Sequence, residues 1–270
     1  MPTLLFIFIF LLGTIIGSFL NVVIYRFNTG KTLVHGRSIC MSCNHTLSWY
    51  ELIPVFSFLI QSGKCRKCAT TISHQYPLVE LGTGFMFALM AFHFLPVLMF
   101  SQVSYVFLVS LFVFIFSILI VISVYDIRHK VIPDALVYMF AFASFFSIFV
   151  NHAGVGGLFI TPTFMSIIAG PMLAIPFALL WLVSKGEWMG LGDAKLMLGI
   201  GWMLGPALGL FSTVLSFWLG AIVAIILMII QRGKIGMKTQ LPFAPFLIIS
   251  ALLTFLFNWD LISFISFFHL

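Results

Sequence analysis

The sequence has little charge of either sign. Of its 270 residues, 7 are acidic and 13 are Lys or Arg, so charged residues make up only 7% of the chain. Hydrophobic residues make up 62%, and the mean hydropathy is +1.20. This composition excludes a water-soluble domain and indicates a protein surrounded mostly by membrane lipids. The chain also has no basic tail or low-complexity segment, so its excess of positive charge does not indicate nucleic acid as a partner.

The long apolar runs predict an all-α polytopic membrane protein. About 20 apolar residues cross a bilayer, and the first run is too long for the core of a cleaved signal peptide. A longer run near the C-terminal end has room for two spans, with a turn expected at Gly205-Pro206. The prediction is about eight transmembrane helices, near 4–24, 78–100, 105–125, 131–150, 165–183, 188–204, 206–231 and 243–262.

Lys and Arg are absent from every second connection between these spans, near 96–104, 151–162 and 205. Lys and Arg accumulate in cytoplasmic loops of membrane proteins. We therefore expect both termini outside, the loop 26–77 in the cytoplasm, and Asp126 and Asp193 together at the cytoplasmic face. The basic residues on that side are Arg26, Lys31, Arg37, Lys64, Arg66, Lys67, Arg128, Lys130, Lys185, Lys195, Arg232, Lys234 and Lys238.

Cysteine is also scarce, and all four cysteines lie in the loop 26–77 as two Cys-x2-Cys pairs: Cys40, Cys43, Cys65 and Cys68. Two such turns can close a tetrahedral zinc site. Stable disulfides are rare in the reducing cytoplasm. A thiol redox pair is the alternative, although one Cys-x2-Cys would suffice for it. With all four sulfurs used, no position remains for water, so we expect a structural metal that stabilises a small loop domain.

Two aspartates are the main catalytic candidates. Asp126 ends one apolar run, and Asp193 follows glycines at 190 and 192 at the start of a short one. Ionisable groups at the edge of a bilayer are expensive and often functional. The structural alternatives are a helix-end carboxylate paired with Arg128 for Asp126 and a first-turn acid for Asp193. Asp134 is a third candidate, but its place after Pro133 at a helix start explains it as a capping residue.

Other polar and small residues have simpler interpretations. Gly13-x3-Gly17 predicts a helix-packing face. Asn21 and Glu80 could bond to each other or to the loop, and Glu80 could also bind a ligand. Lys195 could steady Asp193 or anchor its helix at the headgroups. The histidines of the cytoplasmic loops show no metal-ligand spacing and are interpreted as solvated: His35, His45, His74 and His129.

Taken together, the motifs resemble those of the bacterial type IV prepilin peptidases, membrane aspartic peptidases of pilus and type II secretion systems. Those carrying the resemblance are Gly17-Ser-Phe-Leu-Asn-Val-Val-Ile-x-Arg26, both Cys pairs, Glu51-Leu-Ile-Pro-Val, Gly63-Lys-Cys-Arg-x-Cys, Ile72-Ser, Tyr76-Pro-Leu-Val-Glu-Leu and the two aspartate segments, the second with Gly-x-Gly-Asp. The chain departs from the family at Ala244, usually Gly, and at Met41, often Pro. Neither departure is expected to touch the aspartate pair.

The resemblance implies a bifunctional enzyme that cleaves the leader of prepilins or pseudopilins at the cytoplasmic face of the inner membrane. It implies Asp126 and Asp193 as the catalytic pair, and S-adenosylmethionine as the donor that methylates the new N-terminus. The residues themselves show no Gly-rich nucleotide loop, so methylation rests on the resemblance. The expected organisation is a first span (1–25), a methylation-associated zinc loop (26–77) and a peptidase core (78–270). A peptidase without methyl transfer, a transporter with a zinc-stabilised loop and a non-enzymatic assembly platform are the alternatives.

Overall fold

The computed structural model describes residues 2–30, 32, 36–230 and 241–260, and the elements it forms there are helices joined by turns and isolated bridges. The predictions for Lys31, His35, Arg232, Lys234, Lys238 and the end of the last span lie outside these residues. The helices are α1 (Pro2–Arg26), a 3-10 turn (Trp49–Leu52), α2 (Phe56–Ile60), α3 (Gln75–His93), α4 (Leu95–Leu98), α5 (Gln102–His129), α6 (Asp134–Ser147), α7 (Phe164–Ser184), α8 (Leu191–Ile230) and α9 (Ala244–Phe257).

Four helices of the described chain are long and apolar enough to cross a membrane: Thr3–Arg26, Gln102–His129, Phe164–Ser184 and Leu191–Ile230. These helices confirm the predicted all-α membrane fold. Helices α6 and α9, with 14 residues each, are about 21 Å long at about 1.5 Å per residue, which is shorter than a hydrocarbon core of about 30 Å. The count of eight spans therefore stays a prediction.

Helix α8 contains the reversal that the sequence predicts at Gly205-Pro206. Gly205 has φ 77° and ψ 179°, a conformation that only glycine adopts readily. A Cβ placed on Gly209 would lie 3.9 Å from the Cα of Gly201. In a straight helix these residues would be about 12 Å apart along the axis. The chain therefore doubles back at Gly205, and α8 is an antiparallel pair of helical segments.

The chain divides into two compact units, Met1–Val121 and Ile122–Leu270. In the first unit α1 packs along α3. A Cβ on Gly13 or on Gly17 would approach the backbone of α3 to 2.8 Å, which confirms the predicted packing face. In the second unit α8 packs against α6, α7 and α9. The predicted domain boundaries at 25 and 77 stay predictions.

Prolines set two helix limits that differ from the predicted spans. Helix α6 begins at Asp134, three residues after the predicted start, because Pro133 is its extended N-cap (φ −70°, ψ 122°). Helix α3 ends at His93, and the separate short helix α4 carries Pro96 in its first turn. Proline fits the first turn of a helix but interrupts the interior.

Candidate active site and metal centre

Asp126 lies one turn before the C-terminal end of α5 and is only 5% exposed. The backbone amide of Ala244, the first residue of α9, lies close enough to act on its carboxylate. The first N–H groups of a helix have no partner within the helix, and they carry a partial positive charge. The start of α9 therefore places a positive partial charge beside the Asp126 carboxylate, which offsets part of the cost of burying that carboxylate in its ionised form.

Ala244 is thus a site residue that the sequence did not reveal. The expectation that this position does not touch the aspartate pair is wrong, because its backbone amide acts on the Asp126 carboxylate. The contribution comes from the backbone, so the side-chain type at 244 gives little signal of it. The methyl group of Ala244 is completely buried. Its small size is therefore a packing requirement at the same point.

Asp193 lies in the first turn of α8 and is 7% exposed. Its own backbone N–H donates to the carbonyl of Gly190 at 3.2 Å, and its buried carboxylate is close enough to feel the charge of Asp126 and the amide of Gly190. In the described part of the chain, its Oδ1 atom is buried without a hydrogen-bond partner. Buried polar atoms normally have partners, so each exception calls for a functional or structural explanation. An incoming water or peptide group is a natural partner for this oxygen.

Gly192 allows the two aspartate-bearing segments to approach closely. A Cβ at this position would lie 2.9 Å from the Cβ of Ile132, in the connection that follows α5. At Gly190 an added Cβ would meet nothing closer than the Oδ2 of Asp193, at 3.7 Å. Neither glycine is among the residues with a positive φ. Gly192 therefore serves close packing between protein segments, and no unusual turn requires either glycine.

The arrangement of Asp126 and Asp193 is suited to acid–base chemistry. Both carboxylates belong to the second unit, both are buried, and each lies near a backbone amide close to the start of a helix. Neighbouring carboxylates cannot easily both ionise, so a pair can hold one proton between them. Such a pair offers a base and an acid at the same place, as hydrolysis of a peptide bond requires.

Asp134 and Lys195 form an ion pair of their own. The Nζ of Lys195 lies 2.7 Å from the Oδ1 of Asp134 and 5.3 Å from the ring centre of Tyr138. The side chain of Asp134 is 62% exposed. Lys195 therefore binds the acid at the start of α6. The N-cap of this helix is Pro133 and no side chain makes a capping hydrogen bond, so Asp134 is held by its ion pair and not as the predicted capping residue.

The four cysteine sulfurs form one cluster in the first unit. Their Sγ atoms all lie within 4.8 Å of one another, and those of Cys40 and Cys68 are 3.8 Å apart. Zn–S bonds of about 2.3 Å place the corners of a tetrahedron about 3.8 Å apart. A disulfide needs about 2.05 Å, and all four thiols are free. The predicted four-cysteine site is confirmed as a cluster able to hold a metal.

The two Cys-x2-Cys turns are built alike. In each turn, the first cysteine accepts a backbone bond from the residue after the second cysteine, Asn44 or Ala69. Asn44 and Ala69 have φ values of 55° and 56°. The Thr70 hydroxyl and then its amide lower the pKa of Cys68 to about 6. The amides of Cys43 and then Ser42 lower the pKa of Cys40. Both effects favour the thiolate, the form that binds metals. Against the His45 amide, burial and the neighbouring thiols raise the pKa of Cys43 to about 11.

The remaining polar candidates bond to the loop. The Oε2 atom of Glu80 accepts from the amide of Val55 at 2.7 Å, and Asn21 donates to the carbonyl of Tyr76 at 3.1 Å. Glu51, which the sequence offered only as part of a motif, is buried, and its Oε2 accepts from the amide of Ser48. His45 lies 3.9 Å from that same oxygen, so it is not simply solvated.

Two family models match the chain. The bacterial peptidase A24 N-terminal domain matches residues 11–94, which include the cysteine cluster. The type IV leader peptidase family matches residues 113–225, which include Asp126 and Asp193. The two matched ranges fall on the two sides of a short gap at 95–112.

Curated relatives match over most of the chain. A protein of Bacillus subtilis is 31% identical over 95% of this chain and 96% of its own length. One of Pseudomonas aeruginosa is 30% identical over 92% of this chain and 89% of its own length. One of Myxococcus xanthus is 51% identical, but over 30% of this chain only. Each is named prepilin leader peptidase/N-methyltransferase. No solved structure matches the chain.

Proposed function

This chain belongs to the type IV leader peptidase family, and from that membership we propose that it is a membrane aspartic endopeptidase acting on type IV prepilins or pseudopilins. It cleaves their leader peptide and then methylates the new N-terminal amine with S-adenosylmethionine. The observation that carries the peptidase activity is the buried pair Asp126 and Asp193, with one oxygen of Asp193 left without a partner in the described chain.

In the mechanism we propose, one aspartate is ionised and the other is protonated. The ionised carboxylate takes a proton from a water molecule as the water attacks the scissile carbonyl, while the protonated one donates to the carbonyl oxygen. Collapse of the tetrahedral intermediate breaks the C–N bond, and the leaving amine takes the proton gained from water. A hydroxyl proton of the intermediate returns to the carboxylate that had donated to the carbonyl oxygen, which restores the starting state of the pair. The amides of Ala244 and Gly190 orient the two carboxylates throughout.

The reaction takes place at the cytoplasmic face of a bacterial inner membrane. The distribution of Lys and Arg supports this orientation, since these residues gather in cytoplasmic loops. The apolar helix of the prepilin would lie among the spans and present its cytoplasmic end to the aspartate pair. Most basic residues of this face would serve lipid headgroups and topology, because they would repel a basic leader.

The metal we propose for the cysteine cluster is zinc. The donor set is four cysteine sulfurs within 4.8 Å of one another, and a metal bound by all four would have no open position for a substrate. When bound, zinc would cross-link the two Cys-x2-Cys turns. S-adenosylmethionine supplies the methyl group, and the relatives' printed names support its use by this chain.

The test is cleavage of a prepilin by membranes containing the variants Asp126→Asn and Asp193→Asn. Each should lower the rate of leader removal at least about 100-fold, because loss of a general acid or base costs about 10²–10⁴. Asp134→Asn is the matched control and should stay within a few-fold of wild type, since Asp134 is exposed and paired with Lys195. Near-normal cleavage by either of the first two variants would remove that residue from the pair.

The mass of the new N-terminus, measured in the same reactions, tests methylation. A single added methyl group supports the bifunctional enzyme. If the mature N-terminus stays unmethylated in the presence of S-adenosylmethionine, the enzyme is a peptidase without methyltransferase activity.

A further inference from the structure

A cavity of about 700 Å³ lies within the first unit, beside the cysteine cluster. Its wall includes Ser18, Asn21 and Tyr25 of α1, Tyr76 and Glu80 of α3, and Glu51 of the loop. Cys40 and Cys65 also line it, so the metal cluster supports one side. The volume falls within the range of about 300–1,000 Å³ that is usual for small-molecule sites.

The wall of this cavity carries two buried carboxylates, with exposed fractions of 7% for Glu51 and 6% for Glu80. Glu80 accepts from the amide of Val55 and from the Ser18 hydroxyl, which are both neutral groups. In the part of the chain that the structure describes, neither carboxylate has a Lys or Arg within 4.0 Å. A buried carboxylate without a counter-charge is costly in its ionised form. A positively charged ligand in the cavity would stabilise that form, so the two carboxylates favour a cation over a neutral ligand of the same shape.

The rest of the wall fits a nucleoside with an amino-acid tail. Tyr25 and Tyr76 stack with ring centres 5.0 Å apart and planes at 11°, which forms a flat aromatic surface. Arg26 and Arg37 line the same cavity, and Arg26 Nη1 bonds to the carbonyl of Thr32 at 2.9 Å. A guanidinium has five N–H donors, so Arg26 retains donors for a carboxylate. Aromatic faces, a cation-binding acid and a carboxylate-binding base thus surround one space.

We propose that this cavity binds S-adenosylmethionine and that the Glu80 carboxylate faces its sulfonium centre. The inference rests on the proposed function, which supplies the methyl donor. Glu80 is the better candidate of the two acids, because it lies on the regular helix α3. Glu51 has a separate role in the 3-10 turn, where its carboxylate accepts from the Ser48 amide at the start of the turn and lies 3.9 Å from His45. A sulfonium centre bound near Glu80 would supply the positive charge that no described Lys or Arg supplies within 4.0 Å.

The test is equilibrium dialysis of purified, zinc-loaded full-length protein with two labelled ligands. S-adenosylmethionine carries the sulfonium charge, and S-adenosylhomocysteine is its neutral thioether. The variant Glu80→Gln should weaken binding of the first by about 10- to 100-fold, the usual effect of removing a charged partner. Binding of the second should change by less than about 3-fold on the same scale. Glu187→Gln, the same change at an exposed position, should leave both unchanged.

Unchanged S-adenosylmethionine affinity in Glu80→Gln would overturn the assignment. Should that variant fail to fold, ultraviolet cross-linking of labelled S-adenosylmethionine to the wild type decides. Label in peptides that contain Tyr25 or Tyr76 supports the cavity, and label confined to 122–270 overturns it. A wild type that binds neither ligand overturns both this site and methyl transfer. Leader cleavage by the same sample then shows whether the peptidase proposal survives.

Discussion

Replacing Gly192 by Ala should slow leader cleavage far more than replacing Gly190 by Ala. The two glycines flank Leu191 in the same Gly-x-Gly-Asp motif, so the motif alone does not distinguish them. Their surroundings do. A Cβ at 192 would lie 2.9 Å from the Cβ of Ile132 and 3.1 Å from its Cδ1, whereas a Cβ at 190 would have its nearest neighbour at 3.7 Å.

The size of the effect follows from this contact. Carbon atoms pack at about 3.5–4.0 Å, so the new methyl group must displace Ile132 by roughly 0.6–1 Å from its place after Asp126. Overpacking of this kind costs about 1–3 kcal/mol. A shift of about 1 Å in catalytic geometry can cost about 100-fold in rate. We expect Gly192→Ala to lower kcat/KM about 10- to 100-fold, and Gly190→Ala to stay within about 3-fold.

The assay is the initial rate of prepilin cleavage at equal amounts of membrane-inserted enzyme. The stability of Gly192→Ala should fall by no more than about 2.5 kcal/mol, because Ala gains about 0.5–1 kcal/mol over Gly in a helix and this offsets part of the overpacking cost. In the double variant Gly192→Ala with Ile132→Ala, the Cγ1 and Cδ1 atoms of Ile132 are removed from the contact, and part of the rate should return. Equal rates for the two glycine variants, or a slower Gly190→Ala, would show that close packing of Gly192 on Ile132 does not control the rate.

Two further predictions concern the metal and the reversal in α8. Wild-type protein should contain about one zinc per chain by elemental analysis, and Cys65→Ser should lose it while leader cleavage persists, because the aspartate pair lies in the other unit; metal retained by Cys65→Ser would contradict the four-thiolate site. Gly205→Ala should cost about 1–3 kcal/mol of stability and lower the thermal midpoint, since φ is 77° there. Gly220→Ala, with ordinary contacts at 3.5 Å, is the control, and equal midpoints would refute the strain.

Sequence patterns were sufficient for the features that depend on local chemistry. The apolar runs predict the helices because a lipid-facing backbone must bond within its own segment. The two Cys-x2-Cys pairs predict the cluster, because ligand spacing is set by a tight turn. The positions of Asp126 and Asp193 stand out because so few acids are present. The reversal at Gly205 follows from glycine and proline side by side.

Features that arise from tertiary contacts could not be read in this way. The amide of Ala244 reaches Asp126 only because α9 begins there, and a backbone donor leaves no mark on side-chain type. The partnership of Lys195 with Asp134 joins residues 61 positions apart. The difference between Gly190 and Gly192 depends on the location of Ile132. In each case the sequence names the residue, and the packing of helices decides its partner.

Asp126 and Asp193 should act as one acid–base unit, and a double-mutant cycle on leader cleavage tests this directly. Residues that work as a unit are strongly non-additive, because removing either one disables both. We expect kcat/KM to fall to the same residual level in Asp126→Asn, in Asp193→Asn and in the double variant. If the double variant falls below either single variant by the product of two independent losses, the two aspartates do not act as a pair.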